Sequence, residues 1–169
     1  MQVQAYDPRV SAEKMKSQDV LKIDSLDELA ALSDVVSICI PLSQETDGLI
    51  DTAFLEKMRP QAFLINVGRG ATVDELALLK ALENGQIAGC GLDVFSVEPL
   101  TSQDHPLSKL LTIDNVVVFP HLAAWTTDTW DRLQNEVLDH VMNVLHNRDL
   151  IISSTDPRLA NQPGCRYPA

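Results

Sequence analysis

The sequence predicts an α/β fold built on a doubly wound parallel sheet and followed by one long C-terminal helix. Apolar runs alternate with helical patterns through most of the 169 residues. Most of the runs are continuously apolar, which is typical of parallel strands covered by helices on both faces. Such an alternation of strand and helix favours a doubly wound sheet. The predicted strands are Val3–Tyr6, Val20–Ile23 (the weakest), Val35–Ile40, Ala62–Val67, Ile87–Val94 and Val116–Phe119.

Capping residues predict where two helices begin in the first half of the chain. Ser25 is followed three residues later by Glu28, a capping box that opens a helix over Leu26–Leu32. Asp51 is a suitable N-cap for a short helix that ends at Met58.

A second capping box, formed by Thr72 and Glu75, predicts the next helix. Gly85 is placed to end this helix, because glycine readily adopts the left-handed conformation found after helix C-termini. The predicted apolar stripe consists of Leu76, Leu79 and Leu82.

The C-terminal part changes character after residue 121. A single helix is predicted over Thr126–Asn147, and no periodicity follows in Ile151–Ala169, which we expect to be irregular. The apolar stripe of the helix consists of Trp130, Leu133, Val137, Val141, Val144 and Leu145.

Composition excludes several classes of function. The net charge of -11 argues against a nucleic-acid-binding surface, which needs clustered Lys and Arg. No apolar run approaches the roughly 18 residues of a transmembrane helix. Cys39, Cys90 and Cys165 lack metal-ligand spacing, and the first two lie in apolar runs, so we expect these two to be buried and reduced. No metal site is predicted, and a reducing compartment, the cytoplasm, is expected.

Three polar segments follow predicted strands and carry the candidate chemistry: Asn66–Gly70, Asp93–Pro99 and Pro120–His121. The carboxyl ends of parallel strands face the ligand crevice of an open α/β sheet. An arginine, a carboxylate and an imidazole at this edge predict an acid–base site for an anionic substrate.

Each of these residues also has an ordinary explanation when it is taken alone. Arg69 could cap carbonyl groups or form an exposed ion pair, Glu98 could be a surface carboxylate, and His121 could be satisfied at a strand end. Their joint occurrence favours the functional interpretation. A carboxylate bonded to an imidazole stabilises the imidazolium and fixes its orientation.

The motifs resemble those of the D-isomer-specific 2-hydroxyacid dehydrogenases, which carry N-x-x-R-G, D-V-F-x-x-E-P and P-H in this order. The resemblance runs from about Gln2 to about Leu150. It implies a Rossmann-like NAD-binding domain and hydride transfer between NAD(H) and a 2-keto or 2-hydroxy acid. In that role Arg69 binds the substrate carboxylate and carbonyl, while Glu98 and His121 move the proton.

The resemblance also implies that the sheet is partial. In the family, a first strand and a G-x-G-x-x-G turn precede the segment that Val3–Tyr6 resembles. We therefore expect a fragment with little or no activity, weak NAD binding, and a gap or collapse beside Val3–Tyr6 that exposes apolar surface. Residues 1–124 would form the incomplete NAD-binding domain, 125–150 the helix toward an absent substrate domain, and 151–169 the tail.

Cofactor contacts follow from the same resemblance. Asp7 ends a strand where an acidic side chain binds the adenosine ribose and repels a 2′-phosphate, which favours NAD over NADP, although the nearby Arg9 weakens this preference. The other matching positions are Cys39, Ile40, Pro41, Thr46, Val67, Gly68, Arg69, Asp93, His121, Ala123 and Ala124.

One pattern invites a different assignment. Gly68-x-Gly70-x-x-Val73 follows a strand and precedes a helix, like a dinucleotide fingerprint. We reject that interpretation because the branched Val73 obstructs close helix–strand packing and because Arg69 matches another motif.

Two alternative functions remain open at this level. One is a catalytically inactive remnant that serves as a dimerisation module, since the family implies a homodimer formed through the cofactor domain. The other is a corepressor-like relative that senses NAD. The remaining histidines, His105, His140 and His146, are assigned no role.

Overall fold

The computed structural model describes residues 1–99, 106–146, 150–151 and 165–166. The chain divides into two compact units, Met1–Ala123 and Ala124–Ala169.

The first unit contains all six predicted strands, each shorter than predicted, and the fifth is half its predicted length. A short helix that the sequence patterns did not reveal, α1, precedes the second strand. The strands are β1 Val3–Ala5, β2 Val20–Lys22, β3 Val35–Ile38, β4 Phe63–Asn66, β5 Gly89–Leu92 and β6 Val116–Val118. The helices are α1 Ala12–Lys16, α2 Leu26–Leu32, α3 Thr52–Lys57 and α4 Glu75–Glu83, with 3₁₀ helices at Gly70–Thr72 and Pro106–Thr112.

The strands form two parallel sheets. A four-stranded sheet has the order β3-β4-β5-β6, and a separate two-stranded sheet pairs β1 with β2. All of these pairings are parallel. β1 and β3 are not paired with each other, which agrees with the expected gap beside β1.

The core lies on one face of the larger sheet. The buried side chains Val36, Leu64 and Cys90 share one register, and they pack against α2, α3 and α4. Right-handed connections between successive parallel strands place α3 and α4 on the same side. On the other face Val35 is 57% exposed and Val117 is 57% exposed. The prediction that both faces are covered is therefore wrong for the described structure.

Helix capping follows the predicted pattern only in part. Ser25 is the N-cap of α2 but forms no side-chain cap hydrogen bond, so that capping box does not form. Asp51 caps α3 as predicted, and its Oδ1 accepts from the backbone N–H of Phe54 at 2.9 Å. Gly85, with φ +64°, follows α4 in the left-handed conformation.

The second predicted capping box is wrong. The N-cap of α4 is Asp74, whose carboxylate accepts from the N–H groups of Leu76 and Ala77. Thr72 is fully buried in the preceding 3₁₀ turn, where its hydroxyl donates to a backbone carbonyl instead. Of the predicted stripe, Leu79 and Leu82 are buried as predicted, whereas Leu76 is half-exposed and Leu78 is fully buried instead.

The second unit consists mainly of α5, Thr127–Leu145, slightly shorter than the predicted Thr126–Asn147, and Thr126 is its N-cap. The rings of Trp125 and Trp130 stack at 5.9 Å. In the predicted irregular tail, the described residues form two short parallel strands, β7 Leu150–Ile151 and β8 Cys165–Arg166, and the rest lies outside the described residues. Within the described part of the chain, no helix has the length and apolar character needed to cross a membrane.

Candidate active site

The candidate residues follow the carboxyl ends of neighbouring strands. β4 leads into Arg69, β5 into Asp93 and Glu98, and β6 into His121. Because these strands are parallel and adjacent, the loops meet at one edge of the sheet.

Glu98 and His121 form a hydrogen-bonded pair. The Nδ1 of His121 lies 2.8 Å from Oε2 of Glu98. The other carboxylate oxygen, Oε1, accepts from the backbone N–H of Phe95 at 2.8 Å. Both oxygens of Glu98 are thus engaged, one by its own loop and one by the imidazole.

The carboxylate of Glu98 determines which nitrogen of His121 carries the hydrogen in this bond. The hydrogen bond from His121, followed by that from the Phe95 N–H, lowers the pKa of Glu98 from its ordinary value of 4.5. Nearby Asp93 opposes this shift but does not cancel it. An ionised carboxylate is only an acceptor, so Nδ1 carries the hydrogen and Nε2 is left to exchange a proton with a ligand.

Asp93 holds the backbone that follows His121. Its two carboxylate oxygens accept from the N–H groups of Leu122 and Ala123, at 2.7 and 2.8 Å. His121 itself has φ 58°, a left-handed conformation that is uncommon for a residue with a side chain. The carboxylate of Asp93, which is 6% exposed, offsets the cost of that conformation by satisfying the two N–H groups beyond it.

Two buried side chains shape the loop that carries Arg69. Asn66 is 1% exposed; its Nδ2 donates to the carbonyl oxygen of Arg69, and its Oδ1 accepts from the N–H of Gly68. The hydroxyl of Thr72 donates to the same Arg69 carbonyl at 2.6 Å. Asn66 belongs to the recognised motif, but sequence reasoning gave neither residue this role.

Gly70 joins the Arg69 loop to the Glu98 loop. A Cβ added at Gly70 would lie 1.9 Å from the carbonyl carbon of Phe95 and 2.2 Å from the nitrogen of Ser96. Only a residue without a side chain fits in this contact. The missing side chain at Gly70 therefore lets the two loops pack against each other.

Glu75 secures the same loop from α4. Its Oε1 accepts from the backbone N–H of Ser96 at 2.8 Å, and its Oε2 accepts from the Ser96 hydroxyl. Glu75 was assigned to a capping box. The available signal was its spacing from Leu78, Leu79 and Leu82, which places it on the buried stripe of the helix.

The guanidinium of Arg69 is exposed. Its Nη1 donates to the carbonyl of Gly68 at 2.8 Å. Among the described residues it forms no salt bridge, in contrast to Arg59, which pairs with Asp34. Its positive charge can therefore meet a ligand anion.

The loop after β3 is closed by Thr46. The Thr46 hydroxyl donates to the carbonyl of Pro41 at 2.7 Å and accepts from the N–H of Ser43 at 2.8 Å. Cys39 is exposed, so the expectation that it is buried is wrong: it continues the alternation of β3 in phase with the exposed Val35 and Ser37. Cys90 is buried as expected, and burial raises the pKa of its thiol to about 12.

The remaining predicted cofactor positions differ in their hydrogen bonds and in their exposure. One oxygen of Asp7 accepts from the N–H of Arg9 at 2.8 Å, which leaves the other oxygen for a ligand. Val67 is 42% exposed, Ile40 is half-buried, and Ala123 is exposed on the loop held by Asp93. Ala124 begins the second unit.

These residues fit a dinucleotide cofactor. A Cβ at Gly68 would lie 3.1 Å from the carbonyl oxygen of Ile40 and 3.3 Å from that of Ile38, so the loops after β3 and β4 approach closely. The carboxylates of Asp7 and Asp93 can accept hydrogen bonds from ribose hydroxyls and from a carboxamide. Among the described residues no cluster of His, Cys, Asp or Glu could hold a metal ion.

The glycine-rich stretch after β4 does not open a helix directly. Gly70–Thr72 is a 3₁₀ turn, and α4 starts only at Glu75. In a dinucleotide fingerprint the helix begins at the glycines, because its N-terminus faces the pyrophosphate.

Residues 1–123 match the family described as D-isomer specific 2-hydroxyacid dehydrogenase, NAD binding domain. The chain belongs to this family. The fold expectation and the family resemblance drawn from the three motifs are thereby confirmed, and NAD is the cofactor that the matched domain binds.

Similar proteins within the D-isomer-specific 2-hydroxyacid dehydrogenases extend the comparison. A probable 2-ketogluconate reductase of Dictyostelium discoideum is 39% identical over 142 residues, which is 84% of this chain and 41% of the relative. A glyoxylate reductase of Thermofilum pendens is 45% identical over 125 residues, which is 74% of this chain and 36% of the relative. The chain thus spans about two fifths of the length of these relatives.

Solved structures of the same family share the fold. A D-lactate dehydrogenase from Aquifex aeolicus, complexed with NAD and lactic acid, matches with a TM-score of 0.77 and 32% identity over 87% of this chain and 47% of its own. A D-isomer specific 2-hydroxyacid dehydrogenase from Xanthobacter autotrophicus, in complex with NADPH and MES, matches with a TM-score of 0.76 and 32% identity over 94% of this chain and 62% of its own.

Proposed function

We propose that this chain supplies the acid–base centre of an NAD-dependent dehydrogenase that interconverts 2-keto and D-2-hydroxy acids. The observation that carries the proposal is the 2.8 Å bond between Glu98 and His121, on a loop packed against the loop of Arg69. The arginine, the carboxylate and the imidazole therefore lie on loops that support one another.

His121 is the proton-transferring group in this proposal. Its Nδ1 donates to Glu98, so Nε2 gives a proton to the substrate carbonyl oxygen during reduction and takes the hydroxyl proton during oxidation. Glu98 accepts the Nδ1 hydrogen and keeps the ring oriented.

Arg69 binds the substrate. A planar guanidinium can bind a carboxylate through two hydrogen bonds and orient the adjacent keto oxygen. Its freedom from salt bridges within the described residues supports this assignment.

NAD supplies the hydride-transfer chemistry when it is bound. Asp7 would hold the adenosine ribose, and Asp93 would accept from the carboxamide while it holds the His121 loop. The further positions around the cofactor are Cys39, Ile40, Pro41, Thr46, Val67, Gly68, Ala123 and Ala124. Asp7 favours NAD over NADP.

A hybrid enzyme tests the proposal. Residues 1–123 of this chain would replace the matching part of the Thermofilum pendens glyoxylate reductase, and NADH oxidation would be followed with glyoxylate, pyruvate and hydroxypyruvate. Acetone, which lacks the carboxylate, is the matched control. Reduction of the keto acids but not of acetone is expected, whereas equal rates with acetone would contradict the role of Arg69. That the 169-residue chain alone is weakly active stays a prediction, and the same assay measures it.

The assembly state is a further part of the proposal. We infer a homodimer formed through the first unit, where Val35, Phe63 and Val117 expose apolar surface. Sedimentation equilibrium should give twice the mass of one chain, and a monomer across the accessible concentrations would contradict it. A dimer that binds NADH but does not turn over in the hybrid would favour the non-catalytic alternative.

A further inference from the structure

Glu75 is a buried carboxylate that the acid–base pair does not contact. It is 8% exposed at the start of α4. Burying a carboxylate is costly unless hydrogen bonds compensate for lost hydration. Both oxygens of the Glu75 carboxylate accept hydrogen bonds from the same residue, Ser96. Among the described residues no buried side-chain oxygen or nitrogen is left without a partner.

Ser96 lies in the loop that carries Glu98, directly after the residue whose N–H binds the Glu98 carboxylate. The residue before it, Phe95, donates its N–H to Glu98, and Gly70 packs against the peptide that joins Phe95 to Ser96. Releasing Ser96 would therefore free the segment that orients the carboxylate toward His121.

We propose that Glu75 is a positioning residue, which acts through Ser96 to hold the loop that presents Glu98 to His121. The consequence for catalysis rests on the proposed function, whereas the geometric claim does not. A carboxylate is suited to this task because it accepts both the N–H and the hydroxyl of one serine. Helix α4 supplies a rigid support, since its core face is buried.

The ionisation of Glu98 reports on this positioning without any turnover. Its pKa is held down by the bonds from His121 and from the Phe95 N–H, and Asp93 is the charged group that opposes them. A displaced loop would lose the first two contacts, so the pKa of Glu98 would rise toward 4.5. Removal of the Glu75 charge alone would act in the opposite direction, because a nearby like charge raises the pKa of a carboxyl group. The sign of the change therefore separates positioning from a direct charge effect.

The experiment is a carbon-13 NMR titration of the Glu98 carboxyl in the whole chain. Glu75→Ala should raise the pKa of Glu98, whereas Glu75→Gln should stay near the parent value, because the amide can accept from the N–H and donate to the hydroxyl. Asp74→Ala is the matched control: it removes the N-cap of the same helix without touching Ser96, and it should leave the pKa of Glu98 unchanged. An unchanged pKa in Glu75→Ala, or an equal rise in Asp74→Ala, overturns the proposal.

Ser96→Ala keeps the test decisive if Glu75→Ala does not fold. It removes the hydroxyl bond and leaves the backbone bond, so a smaller rise is expected, and no rise overturns the proposal. Activity of the hybrid enzyme is measured separately. If Glu75→Ala raises the pKa of Glu98 but the unsubstituted hybrid is inactive, the positioning role is supported and the proposed function is contradicted. If the unsubstituted hybrid is active but Glu75→Ala leaves the pKa of Glu98 unchanged, the reverse holds.

Discussion

Glu98 and His121 lie on loops that follow different strands, and the two side chains meet at 2.8 Å. This hydrogen bond links the loops that follow β5 and β6, two strands that already pair in the sheet. Because the partner and the Phe95 N–H lower the pKa of Glu98 in the folded state, the ionised form of this residue favours folding.

The first prediction concerns acid stability. A carboxyl group with a lowered folded pKa stabilises the protein above its unfolded value, near 4.5, and loses that contribution as the pH falls through the folded value. The stability advantage of the parent over Glu98→Gln should therefore be largest near neutral pH and should shrink well below 4.5. Urea unfolding at both pH values measures it. An advantage that grew in acid would contradict the direction of the shift.

The second prediction concerns Asp93. Asp93→Asn keeps the shape but leaves one acceptor oxygen, so the N–H of Leu122 or Ala123 loses its partner. A hydrogen bond to a charged group contributes about 1.5–3 kcal/mol, and urea unfolding should detect its loss. Asp114→Asn, at an exposed position, is the control for the lost charge. Equal stability of the two variants would count against the support of the His121 loop by Asp93.

The third prediction concerns Gly70. Gly70→Ala should lower the free energy of unfolding by about 1–3 kcal/mol or more, because the new methyl group meets backbone atoms that cannot rotate away. Gly91→Ala is the matched control, since its Cβ would meet only the end of the Ile65 side chain at 3.1 Å. Thermal unfolding compares the two. A Gly70→Ala variant as stable as the parent would be inconsistent with the close contact between the loops.

The fourth prediction concerns Arg69. In the hybrid enzyme, Arg69→Ala should lower kcat/KM at least about tenfold, since a charge-assisted hydrogen bond contributes about 1.5–3 kcal/mol. Arg59→Ala, which breaks an exposed ion pair with Asp34, should leave kcat/KM near the parent value. The same loss in both variants would point to a general effect of removing an arginine.

Much of the sheet was predictable from sequence because its strands are short, apolar and separated by capped helices. The Glu98–His121 pairing was predictable because both residues follow consecutive predicted strands of a parallel sheet and match two motifs of one family. The resemblance predicted exposed apolar surface, but the apolar runs alone could not show where it lies, since Val35 and Val117 stand in runs identical in character to buried ones.

The supporting residues of the site escaped sequence reasoning because their partners are distant along the chain. Glu75 and Thr72 have the spacing of a capping box, but both side chains form hydrogen bonds with other partners instead. Asp74 is nearer to the free N–H groups of α4 and caps them instead. Local rules predicted that a helix starts here, and tertiary contacts decided which residue caps it.

The central claim is that His121 transfers the proton, and the turnover of one variant tests it most directly. In the hybrid enzyme, His121→Gln should lower kcat by about 10²–10⁴-fold, the usual contribution of general acid–base catalysis. His105→Gln, at the other histidine of residues 1–123 and without an assigned role, is the matched control and should retain the parent rate. A His121→Gln enzyme that kept the parent kcat would contradict the account.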